Sequence, residues 1–192
     1  MIYVRSQKTA VIHYHEIALK GKNRAFFERA LMTNIQKQTR DTGCRVKRIA
    51  GRLIAQYDPG NEEKLIEKLR HVFGVHHFKV GGETRADMES MKKAARELFE
   101  NIKTKSFRVS ATRSEKNYPF TSHDIEVKVG RVIDEELKIP VDLSNPETTL
   151  SIEVVEGKAY MSIRRIEGLG GLPVGVSGKV VCLLSNGFDS PI

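Results

Sequence analysis

The sequence has no tryptophan, only two cysteines, and no uncharged apolar run near the roughly 18 residues of a membrane-spanning helix. The missing run excludes a membrane-spanning chain, and the 40% hydrophobic content excludes a mostly disordered one. Cys44 and Cys182 form no CxxC pair, and no signal-type segment follows Met1. We therefore expect a protein of the reducing cytoplasm with no membrane partner.

Acidic residues are scarce at the start of the chain. Residues 1–60 hold 12 Lys and Arg against 4 Asp and Glu, residues 61–120 hold 13 against 9, and residues 121–192 hold 7 against 11. No stretch pairs a basic face with an apolar aromatic face, as a membrane-surface helix would. A basic excess confined to one part of the chain indicates a polyanionic partner, and nucleic acid is favoured over a membrane.

The spacing of apolar residues predicts an α+β fold with two small units in the 192 residues. In the first unit the elements follow the order β-α-β-β-α-β, which is typical of the ferredoxin-like fold. Apolar residues at helical spacing define the helices, and β-branched runs define the strands. The predicted ranges are strand 8–14, helix 23–40, strands 44–50 and 52–57, helix 61–72 and strand 74–80.

The glycine pair at positions 81 and 82 predicts a joint before a second α/β unit. That unit is expected to contain helix 87–101, strand 106–112, a helix capped by Thr121 or Ser122 that ends near 137, and strands 148–155 and 158–164. Residues 168–178 hold five glycines and no charge, which predicts a linker or a close-contact loop. Residues 179–184 are a continuous apolar run typical of a buried parallel strand.

Two groups of cations are candidates for phosphate contacts. The first group surrounds the predicted first helix and hairpin and includes Lys20, Lys22 and Arg24, with Arg29, Arg45, Lys47, Arg48 and Arg52. The second group surrounds the loop that holds Phe120 and comprises Lys103, Lys105, Arg108, Arg113 and Lys116. Phe120 is either a platform on which a base stacks or an anchor in the core.

The last motif of the sequence has the residue types of a phosphate loop. A buried strand runs into Ser185–Ser190, and such a loop exposes backbone N–H groups to phosphate. Asp189 would hold Mg2+, and the hydroxyls of Ser185 and Ser190 would donate to phosphate oxygens. The helix and partner strands that complete such a site do not follow, so we expect the chain alone to bind no nucleotide.

Four histidines, His13, His15, His76 and His77, raise the question of a zinc site. No quartet with the spacing of structural zinc ligands accompanies them, and Cys44 stands alone. The sequence therefore predicts no metal site. It also predicts no catalytic residue, because no Ser, His and Asp arrangement suggests a triad.

Four motifs in order resemble the tRNA 4-thiouridine synthetase (tRNA sulfurtransferase) family. They are the opening signature 14–28, a THUMP pattern, the linker motif 168–175 and the start of a PP-loop at 185–191. The opening signature consists of Tyr14, His15, Glu16, Ile17, Leu19, Lys20, Gly21, Lys22, Asn23, Arg24, Phe27 and Glu28. The THUMP pattern consists of Phe107, Arg108, Val109, Arg113, Lys116, Pro119, Phe120, Ser122, Ile125, Glu126, Val129, Gly130, Val141, Asp142, Leu143 and Pro146.

The resemblance implies a ferredoxin-like domain over residues 1–78, a THUMP domain over 79–167, and a linker with the start of a PP-loop domain over 168–192. The family's enzymes adenylate a tRNA uridine with ATP and Mg2+ and transfer sulfur from a cysteine desulfurase. Some also supply the thiazole of thiamine. The first two domains would bind the acceptor end of tRNA, and a homodimer could present two such surfaces. The implied ATP contacts are Leu183, Leu184, Ser185, Asn186, Gly187, Asp189 and Ser190.

The sequence departs from the family pattern at two positions. His15 stands where the family commonly has glycine, and Asn186 stands at the first glycine of the PP-loop. Most of the PP-loop domain and the family's catalytic cysteines are lacking, so we expect the chain to be inactive alone. A natural fragment and one half of a split enzyme are both compatible with it. A stand-alone THUMP-type RNA-binding protein without catalysis is the alternative function.

Overall fold

A computed structural model describes residues 8–115, 117–179 and 181 of the chain. Seven strands and four α-helices follow one another in this part of the sequence, joined by turns, loops and short 3-10 segments. In chain order they are β1 Lys8–His13, α1 Arg24–Gln38, β2 Arg45–Ile49, β3 Arg52–Tyr57, α2 Glu62–Arg70, β4 His77–Arg85, α3 Met88–Glu100, β5 Phe107–Arg113, α4 Ser122–Leu137, β6 Thr148–Val155 and β7 Lys158–Glu167. The predicted order of elements is confirmed from the first strand to the last hairpin, and their ends differ by a few residues. The strand predicted at 179–184 lies mostly outside the described residues.

All seven strands belong to a single mixed sheet with the order β2-β3-β1-β4-β7-β6-β5. Neighbouring strands are antiparallel except β5 and β6, which run parallel. The first four strands have the order of a ferredoxin-like sheet, with β1 between β3 and β4. Helix α4 connects the parallel pair, as a parallel crossover requires.

Gly81 and Gly82, where the sequence predicts a joint between two units, lie inside β4. This strand pairs with β1 through residues 77–81 and with β7 along its whole length, so it belongs to both halves of the sheet. A side chain at position 81 would place its Cβ 2.0 Å from the carbonyl oxygen of Met161. Glycine is therefore needed here for close approach between two strands. The boundary predicted after residue 78 falls within this strand.

Two helix-covered cores lie on the same face of the sheet. Phe78 and Val80 pack in the first core with α1 and α2, and Met161 packs in the second core with α3 and α4. Met161 pairs with Gly82, and residues 78, 80 and 82 share one face of β4 because side chains alternate along a strand. A third apolar cluster of strand residues lies on the opposite face and consists of Val11, Ile54, Val155 and Tyr160, with Ile49 packed against it.

Helix α4 begins with a reciprocal cap, as the sequence predicted. The Thr121 hydroxyl accepts from the backbone N–H of Asp124, and the Asp124 carboxylate accepts from the backbone N–H of Thr121. This capping box satisfies two backbone groups at the helix start. In the described part of the chain, no helix is both long and apolar enough to cross a bilayer.

Replacing Thr121 with alanine should lower the free energy of unfolding by about 1 kcal/mol, because the cap hydroxyl is removed. Urea unfolding followed by circular dichroism measures the difference. His123→Ala, an exposed change in the first turn of the same helix, is the matched control and should shift stability by less than about 0.5 kcal/mol. Equal shifts in both variants would show that the cap does not stabilise α4.

Candidate nucleic-acid interface

A buried carboxylate on the face of the sheet opposite the helices joins the two halves of the molecule. Glu153 of β6 is 3% exposed. Its Oε1 accepts from Nε2 of His13 at 2.9 Å and from Nζ of Lys79 at 2.9 Å. Arg52 Nε lies 2.6 Å from Oε2 in an ion pair without an aligned hydrogen bond. Strand β6 is thereby tied to β1, β3 and β4.

The electrostatics of this cluster favour the charged form of Glu153. Burial alone would raise the pKa of this carboxyl, but the hydrogen bonds and charges of His13 and Lys79 outweigh it and hold the pKa at about 2. The carboxylate is therefore ionised at neutral pH and offsets the cations around it. Arg52 and Lys79 are thus internal cations in the structure, with side chains only 18% and 17% exposed.

A second buried carboxylate, Glu28 of α1, also pairs with cations, but these side chains stay partly exposed, Arg24 by 38% and Arg48 by 53%. It accepts from Arg24 Nε at 2.8 Å, from Arg48 Nη1 at 2.7 Å, and from the hydroxyl of Tyr14. Arg24 also donates to the Tyr14 hydroxyl. Burial would raise the pKa of Glu28, but these donors lower it overall. Arg24, predicted to contact RNA, therefore has structural partners that the sequence did not reveal.

The cations at the start of α1 line an open groove. Lys20 and Lys22 lie in the 3-10 segment Glu16–Asn23, and Lys20 Nζ sits 5.1 Å from the centre of the Phe27 ring. Gly21 turns the backbone there with a φ of 50°. The groove has a volume of about 750 Å3 and is lined by Lys22, Arg24, Arg48 and Arg52, with His13, Gly21, Ala25, Glu28, Ala50 and Gly51. It is wide and cationic, which suits a polyanion.

The cations of the second half lie at the end of α3 and on β5. Lys103 and Lys105 are exposed in the loop before β5. The backbone N–H of Lys105 donates to the Glu147 carboxylate. Arg108 is exposed and donates to the Thr149 hydroxyl at 3.2 Å. Beside it lies a groove of about 280 Å3 in which cations alternate with hydroxyls, lined by Lys79, Arg108, Ser110, Thr149, Ser151, Ser162, Ile163, Arg164 and Arg165.

The loop before α4 is anchored to the second core. Phe120 is half-buried and packs against that core, as the anchor alternative predicted. Lys128 Nζ lies 4.5 Å from the Phe120 ring centre, and the Tyr118 ring meets it edge-on. One face of the ring is therefore already taken by a cation. Arg113 donates to the backbone carbonyl of Glu115, and Lys116 lies outside the described residues.

Residues 168–174 form a close-contact segment on the first half of the molecule. The backbone N–H of Gly168 donates to His76 O, that of Gly170 to Val75 O, and that of Gly74 to Gly170 O. Leu172 packs against the first core, and Asn34 Nδ2 donates to Val174 O. The glycines allow this approach, since a Cβ at Gly168 would lie 2.3 Å from Val75 O. The direction in which the chain leaves the sheet is thereby fixed through residue 174.

Two further expectations from the sequence concern His15 and the implied ATP contacts. His15, at a position where the family resemblance led us to expect glycine, has φ −107°, an ordinary value for any residue, so it needs no glycine-like freedom. The implied ATP contacts lie outside the described residues. They are Leu183, Leu184, Ser185, Asn186, Gly187, Asp189 and Ser190.

Both halves of the sheet match known protein families. Residues 9–78 match the family of the ThiI ferredoxin-like domain, and residues 85–164 match the THUMP domain family. A curated relative from Caldanaerobacter subterraneus, described as a probable tRNA sulfurtransferase, is 39% identical over 184 residues. This match covers 95% of the present chain and 48% of that relative, so the chain spans about half its length.

Solved structures agree with these matches. A crystal structure of a 4-thiouridine synthetase in complex with RNA and bound ATP superposes with a TM-score of 0.77 at 36% identity, over 97% of this chain and 48% of that one. PH1313 from Pyrococcus horikoshii has a TM-score of 0.79 at 28% identity, over 88% of this chain and 58% of that one. Through its ThiI ferredoxin-like and THUMP domains, the chain belongs to the tRNA sulfurtransferase family.

Proposed function

We propose that this chain is the tRNA-binding part of a tRNA sulfurtransferase. The observation that carries the proposal is the presence of a ThiI ferredoxin-like domain and a THUMP domain, in that order, on one continuous sheet. The similar 4-thiouridine synthetase was crystallised with RNA, which supports the choice of ligand. The cation-lined grooves on both halves supply the positive charge that RNA binding needs.

Within this proposal the cations divide into two kinds. Four cations contact a buried carboxylate, and we propose that they mainly stabilise the conformation of this surface: Arg24, Arg48, Arg52 and Lys79. Lys22, Lys103, Lys105 and Arg108 are exposed, and we propose that these side chains contact phosphates. Lys20, Arg113 and Lys116 remain candidates from the sequence. Phe120 is proposed to anchor the loop that presents them.

The remaining family chemistry is proposed for a longer protein that includes this chain. There, ATP and Mg2+ would serve to adenylate a tRNA uridine, and a cysteine desulfurase would donate the sulfur. Supply of sulfur for thiamine thiazole, a homodimer and a cytoplasmic location belong to the same proposal. The support for it is the similarity to tRNA sulfurtransferases over the half of their length that this chain spans.

Binding of this chain to intact tRNA and to tRNA trimmed of its 3′ end, measured over a range of salt concentrations, tests the proposal. We expect trimming to lower the affinity by about tenfold or more, because a THUMP domain that reads the acceptor end can no longer bind it. The intact tRNA should also show a steep salt dependence, since released counterions drive phosphate binding. Equal and weak binding to both RNAs would mean that the basic grooves are only a charged surface and would contradict the proposal.

A further inference from the structure

Four histidines meet at one end of β1 and β4, and one of them, His13, also lines the groove at the start of α1. The rings of His13 and His77 stack with centroids 4.4 Å apart and planes within 8°. His76 meets His77 edge-on, and their Nδ1 atoms are 2.9 Å apart. The His15 ring lies 5.6 Å from that of His76. The imidazole nitrogens of His76 and His77 therefore converge, and His13 and His15 support the two rings from either side.

A carboxylate lies close to the imidazole nitrogens of His76 and His77. Glu167 is the last residue of β7 and pairs with His77 across the sheet. One ligand atom each from His76, His77 and Glu167 lies within 4.8 Å of the others. Arg165 Nε donates to Oε1 of Glu167 at 2.8 Å, but a carboxylate has two oxygens and four lone pairs and can accept a second partner. The sequence could not show this set, because Glu167 is far from the two histidines along the chain.

We propose that His76, His77 and Glu167 form a binding site for a divalent transition-metal ion of the zinc type. Zinc takes imidazole nitrogens at about 2.0 Å and carboxylate oxygens at about 2.0–2.2 Å in a tetrahedron, so ligand atoms need to be somewhat over 3 Å apart. The candidate ligand atoms lie within 4.8 Å of one another, so rotations of the two rings and the carboxylate would bring them to that spacing. Two imidazoles favour zinc, copper or nickel over Mg2+ and Ca2+, which prefer oxygen.

The ion would bind with a change of tautomer and an open coordination position. In the present contact one Nδ1 carries a proton and the other accepts it. Coordination through both Nδ1 atoms moves that proton to Nε2 of the same ring, so both imidazoles stay neutral. Three protein ligands leave a fourth position for water.

A bound ion at this position would also hold the chain segment that follows β7. Glu167 immediately precedes the close-contact segment 168–174, and Gly168 N–H donates to the carbonyl of His76. A metal ion held by His76, His77 and Glu167 would add a second tie at the root of this segment. Because the unfolded chain does not bring these residues together, binding would also stabilise the fold as the metal concentration exceeds the Kd.

Titration of the full chain with ZnCl2, followed by calorimetry and by thermal unfolding, tests the site. We expect one ion per chain and a rise in Tm with zinc concentration. His76→Ala and Glu167→Gln should each weaken zinc binding about tenfold or more, because even changes beyond the direct ligands cost 10–100-fold. The matched control is His71→Ala, an exposed histidine whose Nδ1 contacts its own helix at Glu67 O.

Two readouts separate loss of the site from loss of the fold. The Tm of each variant without zinc reports folding, and Glu167→Gln changes an exposed side chain that should leave it nearly unchanged. CoCl2 should give visible d–d absorption bands that disappear on adding zinc and are absent in His76→Ala. Unsaturable zinc binding, or equal binding by wild type and both site variants, would overturn the proposal. Loss of binding in His71→Ala to the same extent would overturn it as well.

Discussion

Replacing Glu153 with glutamine should lower the free energy of unfolding by about 3 kcal/mol at pH 7. The change keeps the side-chain shape but removes the negative charge that pairs with Arg52, Lys79 and His13. A pKa held at about 2, against an ordinary value near 4.5, corresponds to about 3 kcal/mol. Loss of one partner from a buried ion pair typically costs a similar amount. Urea unfolding of the two proteins measures the difference.

The effect should depend on pH with a defined sign. The folded pKa of Glu153 lies below the unfolded value, so its stabilisation is fully present above the unfolded pKa and is lost as pH falls through the folded pKa. The gap between wild type and Glu153→Gln should therefore shrink steadily from about pH 5 towards pH 2. Wild type should lose more stability than the variant over that range.

Glu89→Gln is the matched control for this prediction. Glu89 is 83% exposed and pairs with Lys92 on the surface of α3, so its neutralisation should change stability by less than about 0.5 kcal/mol. If Glu153→Gln were no more destabilising than Glu89→Gln, the cluster would not hold the two halves of the sheet together. A gap that did not change with pH would show that the carboxylate charge is not the cause.

Removing the exposed cations Lys103, Lys105 and Arg108 together should weaken tRNA binding on the order of 100-fold near 0.1 M salt. Each phosphate that the protein no longer neutralises reduces the salt slope by about 0.7–0.9, so the slope should fall by about 2–3. The effect should be similar for different tRNA sequences, because phosphate contacts carry no sequence information. Filter binding or fluorescence anisotropy over a series of salt concentrations measures both quantities.

A triple variant with the same change of net charge is the control. Lys37→Ala, Arg70→Ala and Lys93→Ala remove three exposed cations, one each from α1, α2 and α3. We expect the control to keep nearly the full salt slope. An unchanged slope in the first triple variant would remove Lys103, Lys105 and Arg108 from the interface, while equal losses in both would indicate a general effect of net charge.

Local features of the sequence were sufficient for the order of elements. Apolar residues at period 2 or 3.6 mark strands and helices because burial on one face demands that spacing, and these patterns are local. Thr121 could be identified as a cap for the same reason, since its partner Asp124 lies within the first turn of the same helix. The sequence could not show that Gly81 also allows a close approach between two strands, because that contact involves Met161, far along the chain.

The candidate site was predicted less completely, since charge alone does not show which cations are free. Arg24 and Arg52 look like any other basic residues in the sequence, yet each faces a buried carboxylate in the structure. The sequence left Phe120 as either a base platform or an anchor, and only the structure shows that its ring packs on the second core. The cations that remain exposed could be identified only once these internal pairs were known.

By itself the sequence determined the order of helices and strands, the basic excess of the first half and the motifs of the family. The tertiary structure decided the single continuous sheet, the ion pairs around Glu153 and the meeting of His76 and His77 with Glu167. The physical reason is distance along the chain. His13 and Glu153 are 140 residues apart and touch only because β1 and β6 belong to one sheet, and no local pattern records such a contact.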